Sequence, residues 1–579
     1  MLKSTQKTFI SQVNILSTEK MRALDTQAKV RGAQDDSIES IASAGYEIMK
    51  EAGKALFDLI VKRINIYSKD WNPNLGIAIF VGSGNNGGDG LVLAKLLIEA
   101  GIQETVIILA PEANFKNEAK LALEDFKKAG GSLIDFSMAL EQASQESDSE
   151  ENVLCDFNLI VDCMLGNGAT GELREPYATA VRYINKSGIP VVAADSPTGY
   201  DCTEHVRREP CIKASETMLF GFPRLDAYIQ DGGRVFGDVS VAPLPYPETL
   251  VEQFSEKTFL VNDEFIRELL PKRNEWGDKR AQGCALVLAG SKDMPGAAAL
   301  CTKAALRSGA GLITLASPEA CMSTLQTKLT EPVFCSLRSS NAIQKTVSEN
   351  ANSSDVPYEN APKAEVREEF FTSAHIPQIL KHLEHNQAFA IGPGLGTSES
   401  TQAAVLELLG EVECRTVIDA DALNAIASTG KSGEPRECSI SFLQNIPAPA
   451  ILTPHRREFE RLFGKLPEKD IDIPNTIRTL ATSANKVILL KGAPTFIATP
   501  DGNVYVIPAS NSGMAKGGSG DVLTGIIVAL LAQGMDTSEA ALLGALLHQK
   551  AGAIARKELG AYSMLPSDII RRLPKAFEF

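Results

Sequence analysis

Residues 75 to 110 read LGIAIFVGSGNNGGDGLVLAKLLIEAGIQETVIILA. The stretch opens with an apolar, β-branched run (75 to 81), turns through glycines, continues as the helical pattern LVLAKLLIEAG, and ends in a second apolar run, ETVIILA (104 to 110). Strand, helix and strand at these lengths read as a βαβ unit on a parallel sheet. The turn itself, GSGNNGGDG (82 to 90), is chemically informative. Glycines let the backbone come close to a ligand, and free amides at a helix start favour an anion. Asn85, Asn86 and Asp89 set it apart from the GxGxxG dinucleotide fingerprint.

Working outward, a charged helix is expected from about 115, and two more strands end in polar residues. LIVDCMLGNGATGELREP (159 to 176) ends a strand at Asp162 before a glycine loop, and VVAADSPTGYD (191 to 201) ends one at Asp195 before Ser196, Pro197 and Thr198. Ligands in open α/β sheets sit beyond the carboxyl ends of the strands, so these loops should face one crevice with Asn86. A strand-end Asp by itself is as readily a helix N-cap.

A second αβ series starts after APLPYPETL (242 to 250), with CALVLAG (284 to 290), an Ala-rich helix through Ser308, and LITLASP (312 to 318). The domain boundary is expected between about 243 and 270, giving domains 1–245 and 246–579. The polar stretches 141–152 and 339–369 read as surface insertions, since they hold too little apolar surface to offset the entropy of ordering.

In the second series NSGMAKGGSGDVLTGIIVALLAQG (511 to 534) opens an apolar helix from a glycine loop and puts Asp521 in its first turn. Amides of Gly517 to Gly520 could neutralise a transferring phosphoryl group, with Asp521 placed to take a proton from an attacking hydroxyl. No Walker A loop is present. AFAIGPGLG (388 to 396), TVIDADALN (416 to 424), ILTPHRREFERL (451 to 462) and VILLKGAPTFIATPDG (487 to 502) each end a strand in polar or glycine residues. His455 alone reads as a capped loop histidine, and His548, on the apolar helical face ALLGALLHQKAG, as a core or helix-end residue.

Bulk properties bound the partners. The chain has 579 residues, 44% hydrophobic and 22% charged, which suits a folded protein of two or three domains. A net charge of -15 argues against nucleic acid, whose phosphates need a basic surface. The ten cysteines are scattered with no CxxC pair, as in a reducing compartment. The N-terminus lacks a signal-peptide pattern and no segment approaches the ~20 apolar residues of a membrane span, so a cytoplasmic location without membrane contact is expected.

Residues 15 to 240 resemble the NAD(P)H-hydrate epimerase family through GSGNNGGDG, the strand-end Asp162 before its G-x-G loop, and DSPTG (195 to 199). The resemblance implies a Rossmann-like αβα sandwich in which Asn85, Asn86, Gly87, Gly88, Asp89, the 166 to 172 loop (Gly166, Asn167 and Gly168 foremost) and Asp195 hold the hydrated dinucleotide. It further implies K⁺ ligated by Asn86, Asp162 and Thr198, and Asp162 as acid/base for inversion at C6. Two positions depart from the family: IMKEAG (48 to 53), a mild change, and Arg224 where lysine is frequent, which would touch only a peripheral contact.

Residues 270 to 579 resemble the ribokinase-like superfamily, and within it the NAD(P)H-hydrate dehydratases, through G-S-x-x-x-P-G-A-A, GPGLG, DADALN, TPH-x-x-E and GGSGD. The resemblance implies a ribokinase-like αβα domain, with Ala297, Gly394, His455 and Asp521 on the hydrated nicotinamide dinucleotide. Lys491, Gly492, Ala493, Pro494, Thr495 and the 514 to 523 loop (Lys516, Gly517, Gly518, Ser519, Gly520) would hold ADP or ATP with Mg²⁺. Asp278-Lys279-Arg280 stands where the family has H-K-G. The implied function is repair of NADHX and NADPHX: epimerisation in the N-terminal half, nucleotide-dependent dehydration of the S form in the C-terminal half. The fused arrangement favours ADP, and a homo-oligomer is expected. The alternatives are a ribokinase-like kinase of a small alcohol, and a non-catalytic N-terminal dinucleotide-binding module.

Overall fold

A computed structural model describes residues 13–66, 71–72, 75–140, 157–338, 368–432, 435–508 and 510–578. The first polar stretch, 141–152, and nearly all of the second lie outside the described residues. The chain divides into two compact units, Val13–Thr258 and a second that includes Phe259–Phe579.

In the first unit seven strands are named here β1 (Gly76–Val81), β2 (Glu104–Ile108), β3 (Leu133–Asp135), β4 (Phe157–Cys163), β5 (Val191–Ala194), β6 (Glu216–Phe220) and β7 (Asp238–Ala242). They form one sheet in the order β7-β6-β5-β4-β1-β2-β3, every pair parallel. This is the Rossmann order, with its switch point between β1 and β4. The strands read as unbroken apolar runs because both faces are covered. Ile77, Ile79 and Val81 of β1 belong to one core and Ala78 and Phe80 to another on the opposite face. Helices α1 (Thr18–Gly32), α2 (Ile38–Ile66) and α3 (Asn85–Glu99) carry the residues that matter for the site.

The second unit contains β8 (Cys284–Leu288), β9 (Leu312–Pro318), β10 (Val333–Leu337), β11 (Ala388–Ile391), β12 (Arg415–Ile418), β13 (Ala450–Leu452), β14 (Val487–Leu490), β15 (Thr495–Ala498) and β16 (Val504–Ile507). Their order is β16-β15-β14-β13-β12-β11-β8-β9-β10, parallel from β10 to β14 and antiparallel at β15 and β16. This is a mostly parallel α/β sheet with an antiparallel edge, the class expected from the alternating strand and helix patterns. Helix α4 (Pro295–Arg307) and helix α5 (Ser519–Ala532) cross closely, because a Cβ on Gly525 would stand 2.1 Å from the Cys301 carbonyl oxygen. Every α5 residue from Val522 to Ala532 is buried, which explains the absence of a polar stripe in GIIVALLA. Among the described residues no helix is long and apolar enough to cross a membrane.

Candidate active sites

The glycine motif is not a loop ahead of the helix, as the sequence suggested, but its first turn: α3 begins at Asn85. Gly84 is the N-cap and offers no side chain to the orphan amides, so the helix terminus keeps its capacity for an anion. The turn closes tightly, since a Cβ on Gly87 would lie 1.8 Å from the Gly82 carbonyl oxygen and one on Gly82 2.0 Å from that of Met164.

Beside this terminus lies a cavity of about 630 Å³. Asn85, Asn86, Asp89, Gly166, Asn167, Gly168 and Asp195 all line it, so the three strand ends do face one crevice. Asp162 and Thr198 stand behind that wall. Asp162 is fully enclosed; its Oδ2 accepts from the Thr198 amide at 2.8 Å, and its Oδ1 from the Thr198 hydroxyl at 2.8 Å and the Met164 amide at 3.2 Å. Burial pushes its pKa up to about 6 against the Thr198 hydrogen bonds. Burial also holds Asp89 well above the usual carboxylate range, reinforced by the charge of Asp195. Asn86 is buried, yet neither its Oδ1 nor its Nδ2 has a hydrogen-bond partner. A buried amide left without a partner is costly unless a ligand completes it.

Arg224 is not peripheral. It is 1% exposed and donates to Asp195 twice, Nη1 to Oδ1 and Nη2 to the carbonyl oxygen, both at 2.6 Å. The planar fork reaches a side chain and a main-chain oxygen at once, one N–H to each. Asp195 Oδ2 in turn accepts from the Asn167 amide at 3.0 Å, so the strand-end carboxylate shapes the 166 to 168 loop.

The sequence reading missed the side of the cavity built by α1. Met21, Arg22, Asp25 and Lys29 point into it, and Lys29 pairs with Asp25 at 2.7 Å and Glu118 at 3.0 Å. Burial opposes the Lys29 charge, but the two carboxylates outweigh it and raise its pKa. The spacing of 22, 25 and 29 on one helix face was the available signal.

In the second unit the strand-end loops converge on Lys491. Its Nζ donates to Asp419 Oδ1 at 2.8 Å and lies 3.8 Å from Glu458 Oε2, while Thr524 of α5 donates to Asp419 Oδ2 at 2.6 Å. A Cβ on Gly520 would stand 3.2 Å from Lys491 Nζ, which brings GGSGD against this group. Burial raises the pKa of Asp419, yet Lys491, with hydrogen bonds from Thr524 and Thr453, more than cancels that and the net shift is downward, toward the charged form. Asp521 behaves oppositely: burial and then the Asp419 charge push it up to about 6. Asp419 opens the DADALN motif, and its place directly after the strand is the sequence signal for its position at this site.

Gly394 and Ala297 are neighbours, with a Gly394 Cβ falling 3.0 Å from that of Ala297. His455 is the N-cap of the helix Arg456–Phe463: its Nδ1 accepts from the Glu458 amide at 3.1 Å and Glu458 Oε2 accepts from the His455 amide at 2.8 Å. This fixes the ring while leaving its side chain 49% exposed. In the glycine loop the Ser519 amide donates to the Lys516 carbonyl at 3.2 Å, which removes one donor from the anticipated anion hole. Lys516 Nζ donates to the carbonyls of Tyr562 and Met564, at 2.7 and 2.8 Å. His548 is part-buried with an unpartnered Nε2, and burial together with the Lys491 charge lowers it to about 4. Asp278 shapes a turn by accepting from the amides of Arg280 and Ala281 at 3.0 and 2.8 Å.

A Rossmann-ordered unit with a glycine-turn cavity, together with a second α/β unit in which Asp419, Lys491 and Asp521 gather beyond the strand ends, defines a two-domain α/β protein with a candidate site in each unit. The family described as NAD(P)H-hydrate dehydratase matches residues 285–575, and the YjeF-related protein N-terminus matches 45–225. The bifunctional NAD(P)H-hydrate repair enzyme Nnr of Moorella thermoacetica is 34% identical over 554 residues, 94% of this chain and 96% of the relative. That of Thermofilum pendens is 32% identical over 530 residues, 91% of each. A solved structure of ADP/ATP-dependent NAD(P)H-hydrate dehydratase from Bacillus subtilis, co-crystallised with ATP/Mg²⁺, is 30% identical, covering 55% of this chain and 96% of that chain at a TM-score of 0.41. The chain belongs to the family of bifunctional NAD(P)H-hydrate repair enzymes.

Proposed function

We propose that the chain divides the repair of hydrated NADH and NADPH between its units: epimerisation of NAD(P)HX at C6 in the first, and ADP- or ATP-dependent dehydration of the S form in the second. The observation that carries the reading is the placement of Asp521, a carboxylate raised to about 6 in the first turn of a glycine-opened helix, beside Lys491 and Gly520.

In the second unit Asp521 takes the proton of the C6 hydroxyl as its oxygen attacks the terminal phosphoryl group of the nucleotide. An O–P bond forms and the bridging P–O bond breaks, releasing AMP from ADP. The C6–O bond then breaks with the electron pair of the ring nitrogen assisting; phosphate leaves, C5 loses a proton, and the ring double bond returns. Phosphate leaves far more readily than hydroxide. Lys491 to Thr495 and the Lys516 to Gly520 loop hold the nucleotide, the latter by backbone because the Lys516 ammonium is committed to two carbonyls. Ala297, Gly394 and His455 face the hydrated ring. Mg²⁺ would travel on the nucleotide oxygens and supply charge neutralisation; among the described residues no three His, Cys, Asp or Glu side chains gather to hold a metal alone.

In the first unit Asn85 to Asp89, Gly166 to Gly168 and Asp195 hold the hydrated dinucleotide. Asp162, raised to about 6, is the proposed acid/base. Asn86, Asp162 and Thr198 fit a K⁺ site: all three bring oxygen donors, and the partnerless Asn86 amide is the group such an ion would complete. The ion would fix the wall of the cavity electrostatically.

The test is incubation with mixed R and S NADHX, Mg²⁺, K⁺ and either ADP or ATP, following NADH absorbance. Complete recovery with one nucleotide, cut to the S fraction plus slow spontaneous epimerisation in Asp162→Ala and abolished in Asp521→Asn, is the expected outcome. Absence of nucleotide-dependent recovery would remove the dehydratase assignment.

A further inference from the structure

The wall of the first unit's cavity carries two cations, Arg22 and Lys29, and three carboxylates, Asp25, Asp89 and Asp195. Lys29 is spent on Asp25 and Glu118, and Asp195 is answered from beneath by Arg224. Arg22 differs from Lys29 and Arg224. Its contacts are neutral, Nε to Asn167 Oδ1 and Nη2 to Thr203 Oγ1, each at 3.4 Å, and among the described residues no carboxylate lies within ion-pair distance of it. The guanidinium is thus steered toward the 166 to 168 loop with its charge uncompensated, and these contacts use only two of its five N–H donors.

We propose that Arg22 binds the diphosphate of the hydrated dinucleotide and is the unpaired positive charge that lets this carboxyl-lined cavity accept a dianion. The inference rests on the reading of this cavity as the epimerase site. Both NADHX and NADPHX carry the diphosphate, and a wall bearing carboxylates repels it unless a cation is held there. Arginine is suited to the task because its planar fork matches two phosphate oxygens at once. The α3 terminus, uncapped at Gly84, supplies backbone amides to the same cavity but no full charge.

The experiment compares the full chain with Arg22→Ala and Arg22→Lys, reading epimerase KM and kcat on R-NADHX and R-NADPHX, and binding of ADP-ribose by calorimetry. Heat-denaturation midpoints establish that each variant is folded. The expected result for Arg22→Ala is a KM raised at least about tenfold on both substrates, as for loss of a hydrogen bond to a charged group, with kcat changed less. ADP-ribose binding should weaken in parallel, and Arg22→Lys should recover part of the loss. A KM that rises on NADPHX alone would assign Arg22 to the 2′-phosphate and overturn the proposal, as would a change below about twofold on both substrates. Should the wild-type chain prove inactive as an epimerase while Arg22→Ala still weakens ADP-ribose binding, the epimerase reading falls and the diphosphate site stands.

Discussion

Arg224 closes a bidentate contact around Asp195, side-chain oxygen and carbonyl oxygen both at 2.6 Å, in an environment that leaves the guanidinium 1% exposed. Asp226 lies on its other side, 3.6 Å from Nε. Removing one member of such a buried group strands the other charges. Arg224→Ala should lower the unfolding free energy of the first unit by about 3–5 kcal/mol. Arg224→Lys should restore the charge but not the double contact and fall between the two. Urea unfolding followed by circular dichroism measures both.

The proposed proton-accepting role of Asp521 predicts an acidic limb on the dehydratase reaction. As a proton acceptor it works only when ionised, and burial has raised its pKa to about 6. The rate on S-NADHX should therefore fall as pH drops through about 6 and level off above it. A stopped assay that stays flat down to pH 5 would remove Asp521 from the proton-accepting role.

Asp419 tunes that limb. Its charge raises the pKa of Asp521, so Asp419→Asn should move the midpoint of the acidic limb toward lower pH. The same change frees Lys491 of its principal partner, and the positive charge left beside Asp521 acts in the same direction. The pH profile of the variant reads the shift directly, even where its overall rate is reduced.

Gly87→Ala tests the tight turn. The new methyl would meet the Gly82 carbonyl oxygen at 1.8 Å, a backbone atom with no flexible side chain to yield. A cost of about 1–3 kcal/mol is expected, together with loss of epimerase activity while nucleotide-dependent dehydration in the second unit persists. Retention of full epimerase activity would mean that the turn opens without consequence.

Much of the molecule was legible in its strand ends. The runs at 75 to 81, 159 to 162 and 191 to 194 read as buried parallel strands because both sheet faces are covered, and the glycine turn after the first and the Asp residues at the ends of the other two then had to lie at one edge. What escaped were groups whose importance comes from tertiary pairing. Arg224 looked peripheral because nothing local reveals that Asp195 waits 29 residues away. Arg22, Asp25 and Lys29 sit on a helix whose polar face resembles any solvated surface until the cavity is formed against it. The helix start at Asn85 was displaced in the reading because four glycines between 82 and 88 lower helix propensity, whereas packing against Gly82 and Met164 enforces the turn. In the second unit Asp419 hid inside a quoted motif; only the meeting of β12, β14 and α5 makes it the partner of Lys491 and Thr524.

Asp195 also adopts a left-handed backbone conformation, with φ of 61°. Apart from glycine, asparagine and aspartate tolerate that region best, so geometry narrows the choice at this position before chemistry acts on it. An alanine scan would conflate two lesions here, a lost carboxylate and a strained main chain. Asp195→Asn keeps the bend and removes only the charge. For anyone redesigning the cavity, position 195 is a hinge of the scaffold as much as a part of its lining.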